Sequence, residues 1–486
     1  MTTTQTPTAH LTELAVHLVD GQAVPARGTR ELHRTDPAGS GQVTTVRPAT
    51  AQEVTAAVDA ADAARDGWRR TAPAERAAYL RTAAAAVRQH ADRLGDLLTA
   101  TTGRLVGQSR ESATVAADLL EEAATTGLGV AGRALAGAPA ALDVVRREPR
   151  GVVAVITPWN DPFPAAAGLL AAALVTGNTV VHKPSERSAA PAWEMARLIA
   201  DALPAGVLNV LNGDGEPGAA VVAEERVALV AHVGSCAAGR HIAAVAGARG
   251  ARVLLENGGK DAIVVDAGVD PVWAAEQIAT GAFTNTGQIC TSVERVYLHA
   301  DVADAVLDAL TAFANAMVVG DPADPATTLG PLVDAEQLAA VDEQVRAAVA
   351  AGARCLAGGA PVNRPGSYYP PTVLDGCRPG SAVLAEETFG PVAAVVRVPD
   401  FDTALEQAGA SRYGLAATVL TPDLGHALRA VEELDVGTVK INGVFGGAPG
   451  GSADPRRDSG TGAGFGPDLL AEMTVLKTVH LEAPGG

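Results

Sequence analysis

The stretch Gly151-Val152-Val153-Ala154-Val155-Ile156 decides the fold class, because it is apolar throughout and a helix signal follows at Pro162. A strand that is apolar on both faces is typical of a parallel sheet that helices cover on both sides. The same alternation of apolar strand and helix continues downstream. Further strands are predicted at 178–182, 207–211 and 227–232.

A second α/β pattern follows position 256 and predicts another layered unit. Its strands are predicted at 262–266, 293–298 and 437–442, and its helices at 272–283 and 302–318. The segment 443–464 is dense in Gly, Pro and Asp, which predicts a long loop. Extended chain before position 150 predicts a hairpin, and the alternating residues 475–481 predict a final strand.

Length and composition limit the classes of function. A chain of 486 residues exceeds what one core supports, so two or three domains are expected. A formal charge of −18 argues against nucleic acid or an anionic membrane as partner. No apolar run is long enough to cross a bilayer, and the first residues lack a signal-peptide pattern. A cytoplasmic location is therefore expected.

The four cysteines form neither a disulfide framework nor a CxxC zinc pattern, so reduced thiols and no metal are expected. One of them, Cys290, stands in the polar stretch Gly287-Gln288-Ile289-Cys290-Thr291, just after an apolar helix-like run. Such a setting favours a nucleophile over a structural thiol. Glu256 stands 34 positions earlier, after the apolar strand 251–255 and before two glycines. Cysteine and glutamate without a neighbouring histidine suggest thioester chemistry followed by hydrolysis.

Three short motifs at strand ends are candidates for binding a nucleotide. The segment 213–218 matches GxGxxG, but Glu216 and Pro217 crowd the phosphate position, so a tight surface turn is the preferred interpretation. The segment 234–239 joins a strand to a helix through small residues, and helix N-terminal N–H groups bind phosphate. A plain strand–helix turn is the alternative there. Lys183 and its neighbours end another strand, where ligands of open α/β sheets bind.

The stretch Pro158-Trp159-Asn160-Asp161-Pro162 ends the strand that opened the pattern. The amide of Asn160 is able to stabilise an oxyanion, although an Asn before a turn is more often a cap. Asp161 followed by Pro162 is a favourable pair for starting a helix.

Taken together, these residues resemble the aldehyde dehydrogenase superfamily, from about Val46 to Val479. The ordered motifs are PWN at 158–160, KPSE at 183–186, GSxxxG at 234–239, ExGGK at 256–260, GQxC at 287–290 and ExFGP at 387–391. Six motifs in order, with the Glu-to-Cys spacing of that family, are very improbable by chance.

The resemblance implies a hydrolytic oxidation of an aldehyde. Cys290 is the implied nucleophile, and its backbone N–H and the Asn160 side chain hold the oxyanion. Hydride passes to a nicotinamide, and Glu256 activates the water that releases the acid. A carboxylate is able to serve as base for water without a histidine.

The resemblance also implies the binding residues for the cofactor and the substrate. Glu186 at the adenosine ribose repels a 2′-phosphate, so NAD is favoured, with NADP as the alternative cofactor. The implied cofactor residues are Ile156, Thr157, Pro158, Trp159, Lys183, Ser185, Glu186, Gly215, Gly234, Ser235, Glu387 and Phe389. The implied substrate-pocket residues are Asp161, Ile289, Thr291 and Phe445.

The family fold implies three parts: a Rossmann-type dinucleotide-binding domain, an α/β catalytic domain and a small oligomerisation β-hairpin. We assign residues 1–128 and 150–255 to the first and 256–455 to the second. Residues 129–149 and 474–486 are assigned to the oligomerisation segment. A homodimer or homotetramer is expected.

Departures from the family pattern bear on the substrate. Asp161 stands where the family commonly has an aromatic residue, and Ala165 and Gly168 on the same helix are small. One hypothesis is a widened, polar tunnel for a bulky, hydroxylated or amino-bearing aldehyde. The competing interpretation is that Asp161 caps its helix. The loop 443–459 carries a longer insert than the family norm, and Asn257 replaces the usual Leu.

Three other functions are weighed against this one. A CoA-acylating aldehyde dehydrogenase shares the cysteine chemistry, but such enzymes tend to lack the glutamate that stands here at 256. A non-catalytic NAD-binding homologue does not explain the joint presence of Cys290, Glu256 and Asn160. An esterase that uses Cys290 alone leaves the nucleotide motifs unexplained.

Overall fold

The structure of the protein is a computed structural model that describes residues 12–138, 141–446 and 451–482. Within these residues, no helix is both long and apolar enough to cross a membrane. The helices and strands gather into layered sheets covered by helices, as the strand–helix alternation predicts.

The first described sheet has eight strands, and the strand predicted at 152–156 lies in its interior as Val152–Thr157. Val153, Ala154 and Val155 are fully buried, which explains why this strand is apolar on both faces. In spatial order the strands are Gly460–Thr461, Arg252–Glu256, Val227–Val233, Val152–Thr157, Thr179–Pro184, Leu208–Val210, Val16–Val19 and Gln22–Pro25. Pairing is parallel from Arg252–Glu256 to Leu208–Val210.

A second sheet has seven strands within the described part of the chain. In spatial order these are Arg354–Ala357, Thr372–Asp375, Val392–Val398, Val293–His299, Asp261–Val265, Ala416–Leu420 and Thr438–Ile441. Only the first pair is antiparallel. The strands predicted at 262–266, 293–298 and 437–442 are therefore confirmed, each within two residues at its ends.

The predicted hairpin and final strand form one antiparallel sheet, with the strand Ala141–Pro149 between Arg133–Leu135 and Thr474–Glu482. Smaller sheets pair Thr12–Leu14, Gln42–Val46 and Leu32–Thr35, and also Tyr413–Gly414 with Arg456–Arg457. The domain boundaries drawn from the sequence, and the role of this hairpin in oligomerisation, remain predictions.

Helices cover both large sheets, and local signals explain several of their starts. Thr50 and Glu53 form a reciprocal capping box at the first helix, and Pro73 opens the second. The α-helices are Ala51–Arg70, Pro73–Gln89, Ala91–Thr102, Val106–Thr126, Pro162–Val175, Ala189–Ala200, Gly215–Ala223, Cys236–Ala248, Pro271–Phe283, Ala300–Ala316, Ala335–Ala350, Ala382–Ala385, Phe401–Gly409, Leu424–Glu433 and Gly466–Glu472. Short 3₁₀ turns lie at Gly127–Gly129, Glu186–Ser188 and Thr284–Gly287.

Candidate active site

Cys290 lies in a tight turn between the helix Pro271–Phe283 and the strand Val293–His299. Asn285 and Thr286 have φ angles of 50° and 56°, and Gly287 has a φ of 71°. A Cβ atom on Gly287 would lie 2.1 Å from the carbonyl oxygen of Gly390, so only glycine fits there. This turn holds the Cys290 thiol half-buried at the end of the helix.

Asn160 contacts the same turn directly. Its side-chain Nδ2 donates to the backbone carbonyl of Gln288 at 3.0 Å. Asn285 Nδ2 in turn donates to the carbonyl oxygens of Asn160 and Gln288, at 3.2 and 3.1 Å. An Asn amide has two N–H bonds, so Asn160 retains one for a further acceptor two residues from Cys290.

Glu256 ends the strand Arg252–Glu256, and its carboxyl group lies against the backbone of Gly464. A Cβ atom on Gly464 would lie 1.8 Å from Oε1 of Glu256. The described residues offer this carboxyl group no hydrogen bond. Burial first, and then the charge of Asp454, raise the pKa of Glu256 to about 8.

The Cys290 thiol is not acidic in this structure. Burial is the main cause that raises its pKa to about 12, and the charges of Glu256, Asp261 and Glu387 add to it. A nucleophilic thiol is predicted to lie where the thiolate is favoured. The structure differs because burial disfavours the charged form, and the nearby carboxylates add to that effect. A base must therefore remove the thiol proton.

The double glycine of the ExGGK motif lets Glu387 approach the site. A Cβ atom on Gly258 would lie 2.3 Å from the carboxylate of Glu387, and Gly259 N–H donates to that carboxylate at 3.1 Å. Burial first, and then the nearby Glu294, raise the pKa of Glu387 to about 8. The motif glycines thus bring together two segments that are distant in sequence.

A buried ion pair of Lys260 and Glu294 lies next to Glu387 and Phe389. Lys260 Nζ lies 2.6 Å from Glu294, and both side chains are almost completely buried. Glu294 also accepts the backbone N–H groups of Thr388 and Phe389, at 2.7 and 2.8 Å. These contacts hold Phe389, whose φ of 50° is in the left-handed region.

The residues predicted to bind the nucleotide lie at the carboxyl edge of the eight-stranded sheet. Lys183 is buried, and its ammonium donates to the carbonyls of Pro184 and Gly213 at 3.0 and 3.1 Å. Burial is the first cause that lowers its pKa, and Glu186 opposes that shift. Gly215 begins the neighbouring helix Gly215–Ala223, so the GxGxxG segment packs beside Lys183.

Two small polar residues start turns at the same edge. Ser185 caps the 3₁₀ turn Glu186–Ser188 by accepting from Arg187 N–H, and it contacts Glu186 at 3.5 Å. Ser235 caps the helix Cys236–Ala248, and the preceding Gly234 N–H donates to the carbonyl of Glu256 at 3.0 Å. The GSxxxG segment therefore lies directly beside Glu256.

The PWN motif at 158–160 lies between the carboxyl edge of the eight-stranded sheet and the residues around Phe389. Trp159 packs edge-on against Phe389, with ring centroids 5.5 Å apart, and the guanidinium of Arg187 lies 5.6 Å from the Trp159 ring. Pro158 and Ile156 are half-buried. Thr157 is buried and contacts His182 Nε2 at 2.9 Å. Burial is the main cause that lowers the pKa of His182 to about 3, so this imidazole is neutral.

Asp161 is the N-cap residue of the helix that begins at Pro162, as predicted for this pair. Its side chain makes no capping hydrogen bond, so the interpretation that the Asp161 side chain caps the helix is wrong. Its carboxylate accepts from Ser112 Oγ at 2.5 Å and lies 3.0 Å from Arg104. Ser112 and Arg104 bind this carboxylate in place of the helix N–H groups, because they offer it a hydroxyl and a full positive charge. Arg104 also donates to the carbonyl of Asn160 at 3.1 Å.

The other predicted pocket residues occupy different settings. Ile289 and Thr291 flank Cys290 and are half-buried. Phe445 is 40% exposed, and its ring lies 5.5 Å from Lys440 Nζ. The part of its loop at 447–450 lies outside the described residues.

Several residues of the site were not singled out in the sequence. Arg104, Ser112 and Asp454 act on motif residues through contacts or charge across long sequence separations. Gln288 was quoted only as part of a motif, yet its Oε1 accepts Val333 N–H at 2.9 Å and anchors the turn. Gly464 lies in the segment 443–464, for which the sequence predicts a long loop but no conformation.

Known proteins are similar to this chain over nearly its whole length. Residues 24–479 match the model of the aldehyde dehydrogenase family. An α-ketoglutarate semialdehyde dehydrogenase of Haloferax volcanii is 34% identical, over 97% of this chain and 99% of its own. The lactaldehyde dehydrogenase of Escherichia coli is 33% identical, over 96% and 98%.

A solved NAD-dependent aldehyde dehydrogenase from Sinorhizobium meliloti superposes with a TM-score of 0.94 at 33% identity, over 98% of this chain and 96% of that one. The chain belongs to the aldehyde dehydrogenase family. The resemblance drawn from six motifs is thereby confirmed, and so are the fold class and the class of enzyme.

Proposed function

We propose that this protein oxidises an aldehyde to the carboxylic acid through a thioester on Cys290. The observation that carries the proposal is the hydrogen bond from Asn160 to Gln288, which holds an amide two residues from Cys290. Glu256 and Glu387 lie close enough to raise the pKa of the thiol. This group of side chains suits acyl chemistry on sulfur.

Each proton that moves has an acceptor. The Cys290 thiol proton passes to solvent water, and the sulfur attacks the aldehyde carbon. The remaining N–H of Asn160 and the Cys290 backbone N–H stabilise the oxyanion. After the carbon has lost its hydride, a thioester remains on Cys290. Glu256 then takes a proton from water, which attacks the thioester and releases the acid and the thiolate.

The carboxyl edge of the eight-stranded sheet fits NAD, with NADP as the alternative. Within the part of the chain that the structure describes, the buried ammonium of Lys183 has only carbonyl oxygens at hydrogen-bond distance, so no carboxylate competes with a phosphate or ribose for it. Lys183, Ser185, Glu186, Gly215, Gly234 and Ser235 would hold the adenosine and pyrophosphate end. Ile156, Thr157, Pro158, Trp159, Glu387 and Phe389 would hold the nicotinamide end. Bound there, NAD supplies the acceptor for the hydride.

The substrate is proposed to be a polar or bulky aldehyde. Asp161 and Arg104 put a hydrogen-bonded ion pair beside Asn160 in place of the aromatic residue that is common in the family. Such a pair favours a hydroxyl or keto group over a bare alkyl chain. The two curated relatives are named for lactaldehyde and a keto-semialdehyde, which is consistent with a polar substrate. Ile289, Thr291 and Phe445 are the other proposed pocket residues.

A homodimer or homotetramer and a cytoplasmic location complete the proposal. The exposed apolar residues Leu135, Leu142 and Leu476 on the hairpin sheet support self-association through that sheet.

The experiment mixes the enzyme, NAD and a panel of aliphatic, hydroxylated, amino and semialdehyde substrates. Absorbance at the band of reduced nicotinamide should rise for wild type and not for Cys290→Ser. No signal from wild type, or an equal signal from the variant, would overturn the assignment. A signal that appears only when coenzyme A is added would favour the CoA-acylating alternative.

A further inference from the structure

A second concave site lies at the opposite edge of the eight-stranded sheet from the nucleotide motifs. It is a cavity of about 410 Å³ where the hairpin sheet meets the helices. Pro149 and Thr176 line it, just before the amino ends of the strands Val152–Thr157 and Thr179–Pro184. The cavity is therefore separate from the proposed cofactor site at the carboxyl edge.

Positive charge dominates the lining of this cavity, although the whole chain has a formal charge of −18. Its charged residues among the described part of the chain are five arginines and one glutamate, namely Arg69, Arg70, Arg76, Arg146, Arg147 and Glu148. Glu148 is already bound to Lys477 at 2.5 Å. Arg69 has Asp66 at 3.9 Å. The other four arginines have no carboxylate within 4 Å among the residues that the structure describes.

Arg76 forms the floor of the cavity. It is only 9% exposed, and its Nε and Nη1 donate to the carbonyls of Val175 and Thr71, at 2.8 and 2.6 Å. Its second terminal nitrogen has no acceptor within the described ranges. Two neutral carbonyls do not balance a buried guanidinium charge, and such a charge normally has a counter-ion.

Two further arginines, Arg146 and Arg147, line the cavity from the hairpin strand, and as strand neighbours they project from its opposite faces. Arg147 donates to Thr474 Oγ1 at 3.0 Å, which fixes it against the C-terminal strand. Arg146 stands directly opposite Lys477 in the strand register, and Glu148, two residues further along, binds Lys477. An anion in the cavity would join the helix corner at 69–76 to both strands.

We propose that this cavity binds a small oxyanion with two or more negative charges, such as a phosphate ester or a polycarboxylate. Arginine guanidinium groups bind phosphates and carboxylates through two parallel N–H hydrogen bonds. The cavity volume of about 410 Å³ admits a molecule larger than a single phosphate. Because the ligand joins the nucleotide-binding region to the hairpin sheet, it stabilises the hairpin against the body. The site is independent of the oxidation at Cys290.

The test measures binding of radiolabelled inorganic phosphate and of citrate to the full-length protein, with NAD present in excess and ionic strength held constant with chloride. Equilibrium dialysis gives the affinity, and the melting temperature gives the stabilisation. The variants are Arg70→Ser and Arg146→Ser. Arg81→Ser is the matched control, because this exposed arginine lies on the same helix as Arg76 but outside the cavity.

Wild type and Arg81→Ser should bind at least one of the two anions saturably, with a rise in Tm of about 2 °C or more. Each cavity variant should lose about tenfold or more in affinity. Tighter binding of phosphate identifies phosphate esters as the natural class, and tighter binding of citrate identifies polycarboxylates. No saturable binding, or equal binding by the cavity variants, overturns the proposal. The second result would assign the bound anion to another site.

Discussion

The carboxylate of Asp161 lies 3.0 Å from the guanidinium of Arg104, directly beside the amide that is proposed to hold the oxyanion. Ser112, in the helix Val106–Thr126, also donates a hydrogen bond to this carboxylate. The pairing neutralises the charge of Asp161, so Asp161 does not act as a free anion for an amino group. It leaves a polar surface where the family commonly presents an aromatic ring.

Replacing Arg104 with Met should therefore change the charge preference for the substrate. Without its partner, Asp161 attracts a cationic aldehyde, and a pair of this kind contributes about 1 kcal/mol, or roughly fivefold in kcat/KM. The measurement is the ratio of kcat/KM for an aminoaldehyde to that for an isosteric alkanal. Arg104→Lys keeps the charge and should leave the ratio near that of wild type. An unchanged ratio in Arg104→Met would show that Asp161 does not face the substrate.

The pH dependence of thioester hydrolysis should follow Glu256. Its pKa is raised to about 8, first by burial and then by Asp454. Only the deprotonated carboxylate accepts a proton from water, so hydrolysis should slow as pH falls through about 8. Replacing Asp454 with Asn removes a negative charge, which lowers the pKa of Glu256 and moves the profile to lower pH.

The measurement is the decay of the acyl-enzyme across pH by rapid mixing. Asp468→Asn is the control, because Asp468 lines the same cavity of about 540 Å³ as Asp454 but does not shift the pKa of Glu256. Identical pH profiles of acyl-enzyme decay in wild type and Asp454→Asn would refute the effect of Asp454 on the pKa of Glu256.

A methyl group at position 464 should disturb the general base. The Cβ atom of Gly464→Ala would lie 1.8 Å from Oε1 and 2.5 Å from Cδ of Glu256, so the carboxyl group must move. General bases contribute about 10²- to 10⁴-fold, so a tenfold or greater loss of kcat is expected. Gly409→Ala has no atom within 4 Å of its new Cβ and should keep full activity. Wild-type kcat in Gly464→Ala would contradict the position assigned to Glu256.

Breaking the buried pair of Lys260 and Glu294 should destabilise the fold. Lys260→Met leaves the Glu294 charge buried, which costs about 3–5 kcal/mol in the free energy of unfolding. The exposed pair of Arg429 and Glu433 is the control, and Arg429→Met should cost much less, because water screens exposed charges. Urea unfolding monitored by circular dichroism compares the two variants. An equal loss of unfolding free energy in the two variants would contradict the prediction that burial makes the pair of Lys260 and Glu294 costly to break.

The fold class was predictable because its signal is local. Val152–Thr157 and its parallel neighbours Thr179–Pro184 and Val227–Val233 are mostly apolar, and each precedes a turn and a helix. The neighbourhood of Asn160, Glu256 and Cys290 was predictable for a related reason. All three stand beside strand or helix ends, and their order along the chain follows a family pattern.

The partners of these residues were not predictable, since they depend on contacts between distant segments. Ser112 and Arg104 reach Asp161 from positions 49 and 57 residues earlier, and no periodicity marks them. Asp454 and Gly464 approach Glu256 from a Gly-rich segment without a regular pattern. The raised pKa of the Cys290 thiol likewise results from burial by the fold, and the carboxylates that the fold assembles around the thiol add to it.

The most direct test of the account is the intact mass of Glu256→Gln after it is mixed with NAD and an aldehyde substrate. We expect one equivalent of reduced nicotinamide followed by very slow turnover, with an acyl group on the protein that maps to Cys290. Glu256→Gln keeps the size of the side chain and removes only the base. Steady turnover at the wild-type rate with no acyl adduct would contradict the proposal that a Cys290 thioester is hydrolysed by water bound to Glu256.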